Sequence, residues 1–184
     1  MKTLIVLARE HEAIERIVTR LEHELDTLGR TGELDGEALQ RMLEFFEQAV
    51  DGHHQESEQR VLLPRLLLRA EGDEAALVRS LLRDHGEQRT FLGILRDNLE
   101  GAAYGEPGCR AAVARFGRLY IAHHREHSQW EHSTLFTLAT KLLNEEDDLA
   151  ALRELARLDR DWGSTVVEVA RALEGWLDQR LIAA

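Results

Sequence analysis

Asp51-Gly52-His53-His54-Gln55-Glu56-Ser57-Glu58-Gln59-Arg60-Val61-Leu62-Leu63-Pro64 is the stretch on which the fold turns. Read as helix, it puts His54 and Glu58 on a single face, one turn above the other. Phe46 and Val50 precede them on that face, and Val61 and Leu62 follow. An imidazole and a carboxylate inside an apolar stripe are costly to bury unless something neutralises and ligates them, and a metal ion does both. The pair gains weight only if other helices bring matching groups to the same level.

Working outward, the chain offers three more apolar stripes at steps of three and four. Leu4, Leu7, His11, Ile14, Val18, Leu21 and Leu25 predict a first helix ending near Gly29, with His11 as its one polar member. The second helix is predicted from about Asp35 to Ala70, with Pro64 bending it or ending its regular part. After a turn at Gly72-Asp73, Val78, Leu81, His85, Leu92, Leu95 and Leu99 mark a third, on which Arg89 faces roughly as His85 does. Beyond the break at Gly101–Gly108, a fourth helix from about Cys109 to Leu143 carries His127 and Glu131 at the spacing of His54 and Glu58. His123, one turn before His127, shares a compatible face, whereas His124 and His132 are placed to the side, toward solvent. His53 is one position off its stripe. Asn144–Asp148 reads as an acidic connection. The remainder, about 148–181, reads as one helix, or two parted near Gly163, covering the bundle.

The chain has 184 residues, enough for a single domain: a metal-binding bundle over about 3–143 and the covering helix. With 23 Lys plus Arg against 34 Asp plus Glu, the net charge of -11 argues against nucleic acid and against an anionic membrane surface. The lone Cys109 rules out an intrachain disulfide and any thiolate-held zinc or iron–sulfur site within one chain. No apolar run is long enough for a membrane span or a signal peptide core, so the expected location is the cytoplasm. Few prolines and abundant Leu, Ala, Glu and Arg predict an all-α protein.

Whether the ligands meet is a matter of arithmetic. In an antiparallel up-down-up-down four-helix bundle, His11 stands roughly 17 residues before its helix end and His54 roughly 19 after the next start. Glu58 and His85 each stand about 12 residues from their shared turn, and His85 and His127 about 16 and 18 from theirs. All four helices therefore place a histidine at one level. The set is His11, His54, Glu58, His85, His127 and Glu131; one metal can take six ligands, and Glu58 and Glu131 on facing helices are also well placed to bridge two ions. Nitrogen and oxygen donors without sulfur suit iron, manganese or zinc, and a set of six favours iron or manganese over four-coordinate zinc.

These residues resemble those of the hemerythrin-like, or HHE cation-binding, domains. The resemblance rests on Arg9-Glu10-His11, on His54-x-x-x-Glu58 followed by Val61-Leu62-Leu63-Pro64, and on Asp84-His85 with Arg89 one turn on. Tyr120, His127-x-x-x-Glu131 and Leu135-Phe136 complete it. It covers roughly Leu4 to Leu143 and implies a non-haem site of two iron ions. In that site Glu58 and Glu131 bridge and the four histidines are terminal ligands. Oxygen-carrying hemerythrins have a fifth histidine one turn after the third helix's first. That position is Arg89 here, and an arginine cannot ligate. His123, then Tyr120, are the candidates to fill the gap, and water is the other option. Glu10, Asp51, Glu56 and Glu126 are candidates to hold outer imidazole nitrogens.

The resemblance implies a protein that binds dioxygen or nitric oxide, in sensing, storage or protection. Two other expectations stand beside it: a redox enzyme acting on peroxide or nitric oxide, and an iron-responsive or iron-handling protein. A sensing or redox role calls for a separate signalling or electron-donating protein partner. The exposed-looking Trp176 and the C-terminal helix suit a contact between copies and a place in the core equally well.

Overall fold

The computed structural model describes residues 1–183, and these form six helices without a strand. Helix α1 is Lys2–Thr31. Helix α2 is a rod of successive segments, Gly36–Phe45, Phe46–Gln55, Glu58–Leu62 and Leu63–Leu67, of which the middle two are π-helical. Helix α3 is Gly72–Ala103. Helix α4 joins Pro107–Trp130, a π turn at Glu131–Leu135 and Phe136–Leu142. Helices α5 and α6 are Glu145–Trp162 and Val166–Ala183.

The boundaries have local causes. The first amides of α1 have no carbonyl behind them, and Asp148 of α5 takes them: Lys2 N–H and Thr3 N–H donate to its carboxylate at 2.8 and 3.0 Å. Asp35 caps α2 by accepting from Ala38 N–H at 3.0 Å. Gly29 is simply carried through; α1 stops instead at Gly32, whose φ of 75° is the left-handed conformation that closes a helix. The expected acidic connection after α4 is corrected. Asn144 and Asp147 form a reciprocal capping box, so Glu145–Asp148 is already the first turn of α5. The C-terminal region is two helices, parted at Gly163 with φ 86°.

Neighbouring helices are pinned by specific pairs. Between α2 and α3 these are Gln59 with His85, Gln55 with Gln88, Asp51 with Arg89 and Glu47 with Arg96. Between α3 and α4 they are His85 with His127, Glu87 with His123 and Phe91 with Phe116. Between α1 and α4 they are His11 with Glu131, Arg125 with Glu15 and Glu22, and Arg118 with Asp26. Two apolar cores result. One packs Leu4 and Leu7 with Leu62, Leu66, Val78 and Leu81, and with Leu135 and Leu138 of α4. The other packs Leu21 and Leu25 with Leu39, Leu43, Leu95 and Val113, and Val166, Ala170 and Leu177 of α6 join it. His11, Glu58, His85 and His127 lie in the chain between the segments that supply these cores. Helix α5 lays Ala151 and Leu155 on Val61. Trp176 is half-buried between the guanidinium groups of Arg41 and Arg180, with its ring on the α6 side of the second core.

Candidate metal centre

The side chains of His11, His54, Glu58, His85, His127 and Glu131 all turn into the bundle, and none is more than 6 % exposed. They assemble as two overlapping quartets, His11/His54/Glu58/Glu131 and Glu58/His85/His127/Glu131. Within each, one donor atom per residue lies within 4.8 Å of all the others. Each glutamate thus faces both histidine pairs. Glu131 stands 3.1 Å from His11 Nε2 through one oxygen and 3.3 Å from His127 Nε2 through the other. Glu58 likewise faces His54 Nε2 at 3.7 Å and His85 Nε2 at 3.6 Å with separate oxygens. Both oxygens of both glutamates, fully buried, lack any hydrogen-bond donor. Desolvated carboxylates without donors are strongly unfavourable, and a cation between them removes the penalty.

The backbone adapts at these two glutamates. Leu63 N–H donates to Glu58 C=O, and Phe136 N–H to Glu131 C=O, so each begins a turn widened by one residue. Pro64 follows the first of these turns and has no N–H to give, which accounts for the break there without ending the rod.

A family model described as "Hemerythrin HHE cation binding domain" matches residues 3–139. The chain belongs to the hemerythrin family. No curated protein and no solved structure matches it. The hemerythrin match contains every residue of both quartets and ends before α5 and α6.

Around the hemerythrin quartets, outer groups hold the rings. His54 Nδ1 and Glu10 Oε2 lie 2.7 Å apart; when His54 ligates through Nε2, Nδ1 carries the proton and the carboxylate accepts the hydrogen bond. The Gln59 amide lies 2.8 Å from His85 Nδ1; when His85 ligates through Nε2, Nδ1 carries the proton and the amide presents its oxygen. Asp84 Oδ2 is 3.7 Å from His127 Nδ1. Helix α5 adds Asp159, bonded to His53 Nε2 at 2.8 Å, while Trp162 stacks on the same ring at 4.3 Å. Of the outer groups expected from sequence, only Glu10 takes the role. Glu56 pairs with Arg60 on the surface, Asp51 with Arg89, and Glu126 faces solvent.

Burial and proximity set the charges of the metal-free cluster. Burial, then the facing Glu131, holds the Glu58 carboxyl well above its usual range. Burial pulls Glu131 upward too, but His127 and His11 outweigh it and keep that carboxylate ionised. Burial and His11 depress His54, and burial with His127 pushes His85 down to about 3. For His127 burial acts downward, yet Glu131 and Asp84 prevail and raise it. Burial and Asp159 lift Glu10 to about 7.

Three sequence expectations about the walls are corrected. His123 belongs to neither quartet; its Nε2 pairs with Glu87 at 3.1 Å near the surface. His124, expected in solvent, is 3 % exposed, stacks on Tyr120 and is pushed down to about 3 by burial and then His11. The steps Tyr120–His124–His127–Glu131 are four, three and four, which is the inward stripe; taking a step of four back from His127 led to the wrong histidine. Arg89 is exposed and tied to Asp51, and Gln88 takes the inward position beyond His85, bonded to Gln55 at 2.7 Å. Tyr120 is fully buried and its hydroxyl has no partner. His132 is exposed, as expected, although its ring lies 4.8 Å from that of His11.

Proposed function

We propose that this protein is a non-haem diiron protein that binds dioxygen or nitric oxide inside an up-down-up-down four-helix bundle. The observation that carries the reading is the pair of buried quartets sharing Glu58 and Glu131. His11 and His54 would hold one ion and His85 and His127 the other, with Glu58 and Glu131 available to both. Pairs such as Gln59 with His85 and Asp51 with Arg89, in which numbers fall on one helix as they rise on the next, support the alternating topology. Residues 1–184 act as a single domain, with α5 and α6 as its cover.

The donor set fits iron. Four imidazoles and two carboxylates offer nitrogen and oxygen without sulfur, and four unpartnered carboxylate oxygens call for cations. Bound iron supplies electrons and open coordination positions for a small diatomic ligand. The chain's own part is to fix the imidazoles through Glu10 and Gln59 and to keep water out. Phe46, Val50, Leu81 and Leu92, all buried, provide the apolar surroundings. Adding dioxygen or nitric oxide to reduced, iron-loaded protein under an optical spectrometer tests the reading. A new visible band with each gas is expected, and no change with either would refute ligand binding.

One observation favours the second reading, a redox enzyme acting on peroxide or nitric oxide. The Tyr120 hydroxyl and His124 Nδ1 are buried without partners; burial keeps the phenol protonated and the His124 ring neutral, which leaves both free to hydrogen-bond a polar reactant. Sustained turnover with an external electron donor, lost in Tyr120→Phe or His124→Phe, would decide for it.

A further inference from the structure

Two clefts approach the quartets from outside. One is lined by His11 and His132 and carries Arg16 and Arg125 beside Glu12 and Glu15. The other, about 280 Å³ between α3 and α4, reaches His127. Its walls are Asp84, Glu87, Glu126 and His123, with Trp130 beside them and no lysine or arginine.

His127 is the buried end of this second cleft. It is 6 % exposed; its Nε2 faces Glu131, and its Nδ1 is buried without a hydrogen-bond partner. The nearest acid to that nitrogen is Asp84, one of the cleft walls, at 3.7 Å. His123 Nε2 and Glu87 Oε2 stand 3.1 Å apart and together offer a nitrogen and an oxygen donor.

We propose that this acidic cleft is an outer divalent-cation site through which ferrous iron reaches the interior, an inference that rests on the diiron reading. Three carboxylates in a concave, cation-free wall focus the chain's negative field and raise the local concentration of a hydrated dication. The Glu87 and His123 donors, with Glu126 alongside, take the ion loosely because all stand within reach of water. The ion then sheds water against Asp84 and passes to His127, whose ring separates the cleft from the Glu131 carboxylate. The cleft beside His11 sets Arg16 and Arg125 against Glu12 and Glu15, so its lining offers a dication no comparable net negative field. No change of oxidation state is involved; bound water is exchanged for carboxylate and imidazole, and protons held by the metal-free ligands leave to solvent.

The test is the rate at which metal-free protein takes up ferrous iron under anaerobic stopped flow, at low and high salt. The Glu87→Gln/Glu126→Gln variant leaves all proposed interior ligands in place. It is expected to load at least about threefold more slowly at low salt, with the deficit shrinking at high salt and the final iron content unchanged. Glu12→Gln/Glu15→Gln, with the same charge change beside the other cleft, should load at the wild-type rate. Equal rates in the cleft variant and wild type would overturn the proposal, and so would equal slowing in both variants. A lowered final iron content in Glu87→Gln/Glu126→Gln would also overturn it, because those residues would then serve the resident ions or the fold. Wild-type protein that takes up no iron would bring down the diiron reading itself, an outcome distinct from a change in rate.

Discussion

Replacing Glu10 by glutamine should move the metal-free and the metal-loaded protein in opposite directions. Burial and Asp159 raise the Glu10 carboxyl from 4.5 to about 7 in the folded protein. At about 1.4 kcal/mol per tenfold change in proton affinity, that difference is worth about 3 kcal/mol. The folded value lies above the unfolded one, so the folded state holds this proton more tightly. Its contribution is fully present below about pH 4.5 and is lost as pH rises through about 7. Above that, wild type buries an ionised carboxylate, whereas glutamine stays neutral. Urea unfolding of chelator-treated protein should find Glu10→Gln more stable than wild type by up to about 3 kcal/mol at high pH. At low pH the two should agree within about 1 kcal/mol. With iron bound, the carboxylate is the acceptor that makes His54 a better ligand, and its loss should weaken metal affinity about 10- to 100-fold. A stability difference independent of pH, together with unchanged iron affinity, would refute the assigned role.

Other perturbations probe other parts of the account. His54→Ala or Glu58→Ala should abolish most iron binding, while His132→Ala leaves it nearly intact; equal losses, measured by elemental analysis, would contradict the ligand assignment. Tyr120→Phe should raise the stability of metal-free protein by about 1 kcal/mol, because it removes a buried hydroxyl that has no partner. Gly117→Val should lower Tm, since a Cβ at Gly117 already meets Leu25 Cδ1 at 2.6 Å and overpacking costs about 1–3 kcal/mol.

The sequence was most legible where one rule dominated. Stripes broken by His11, His54, His85 and His127 located the helices and the interior donors, because a polar residue on an inward face has few explanations. Reading failed where a small angular difference decides orientation. His123 and His124 lie four and three residues before His127, both steps compatible with one face; His124 continues the inward Tyr120 stripe, while His123 pairs with Glu87 near the surface. Arg89 and Gln88 pose the same ambiguity after His85, resolved by Asp51, which draws the arginine to the surface. The π turns at Glu58 and Glu131 had no signal beyond Pro64, since an i→i+5 bond leaves no residue signature of its own. Asp159 and Trp162 were unreadable for a different reason: they reach His53 from about a hundred residues away, through packing of α5 that the apolar pattern leaves unspecified.

The central claim is that two ions share Glu58 and Glu131, and an anaerobic iron titration of metal-free protein tests it most directly. The account predicts a break at two irons per chain, falling sharply in Glu58→Ala and in Glu131→Ala. A break at one iron, or full loading after either glutamate is removed, would contradict it.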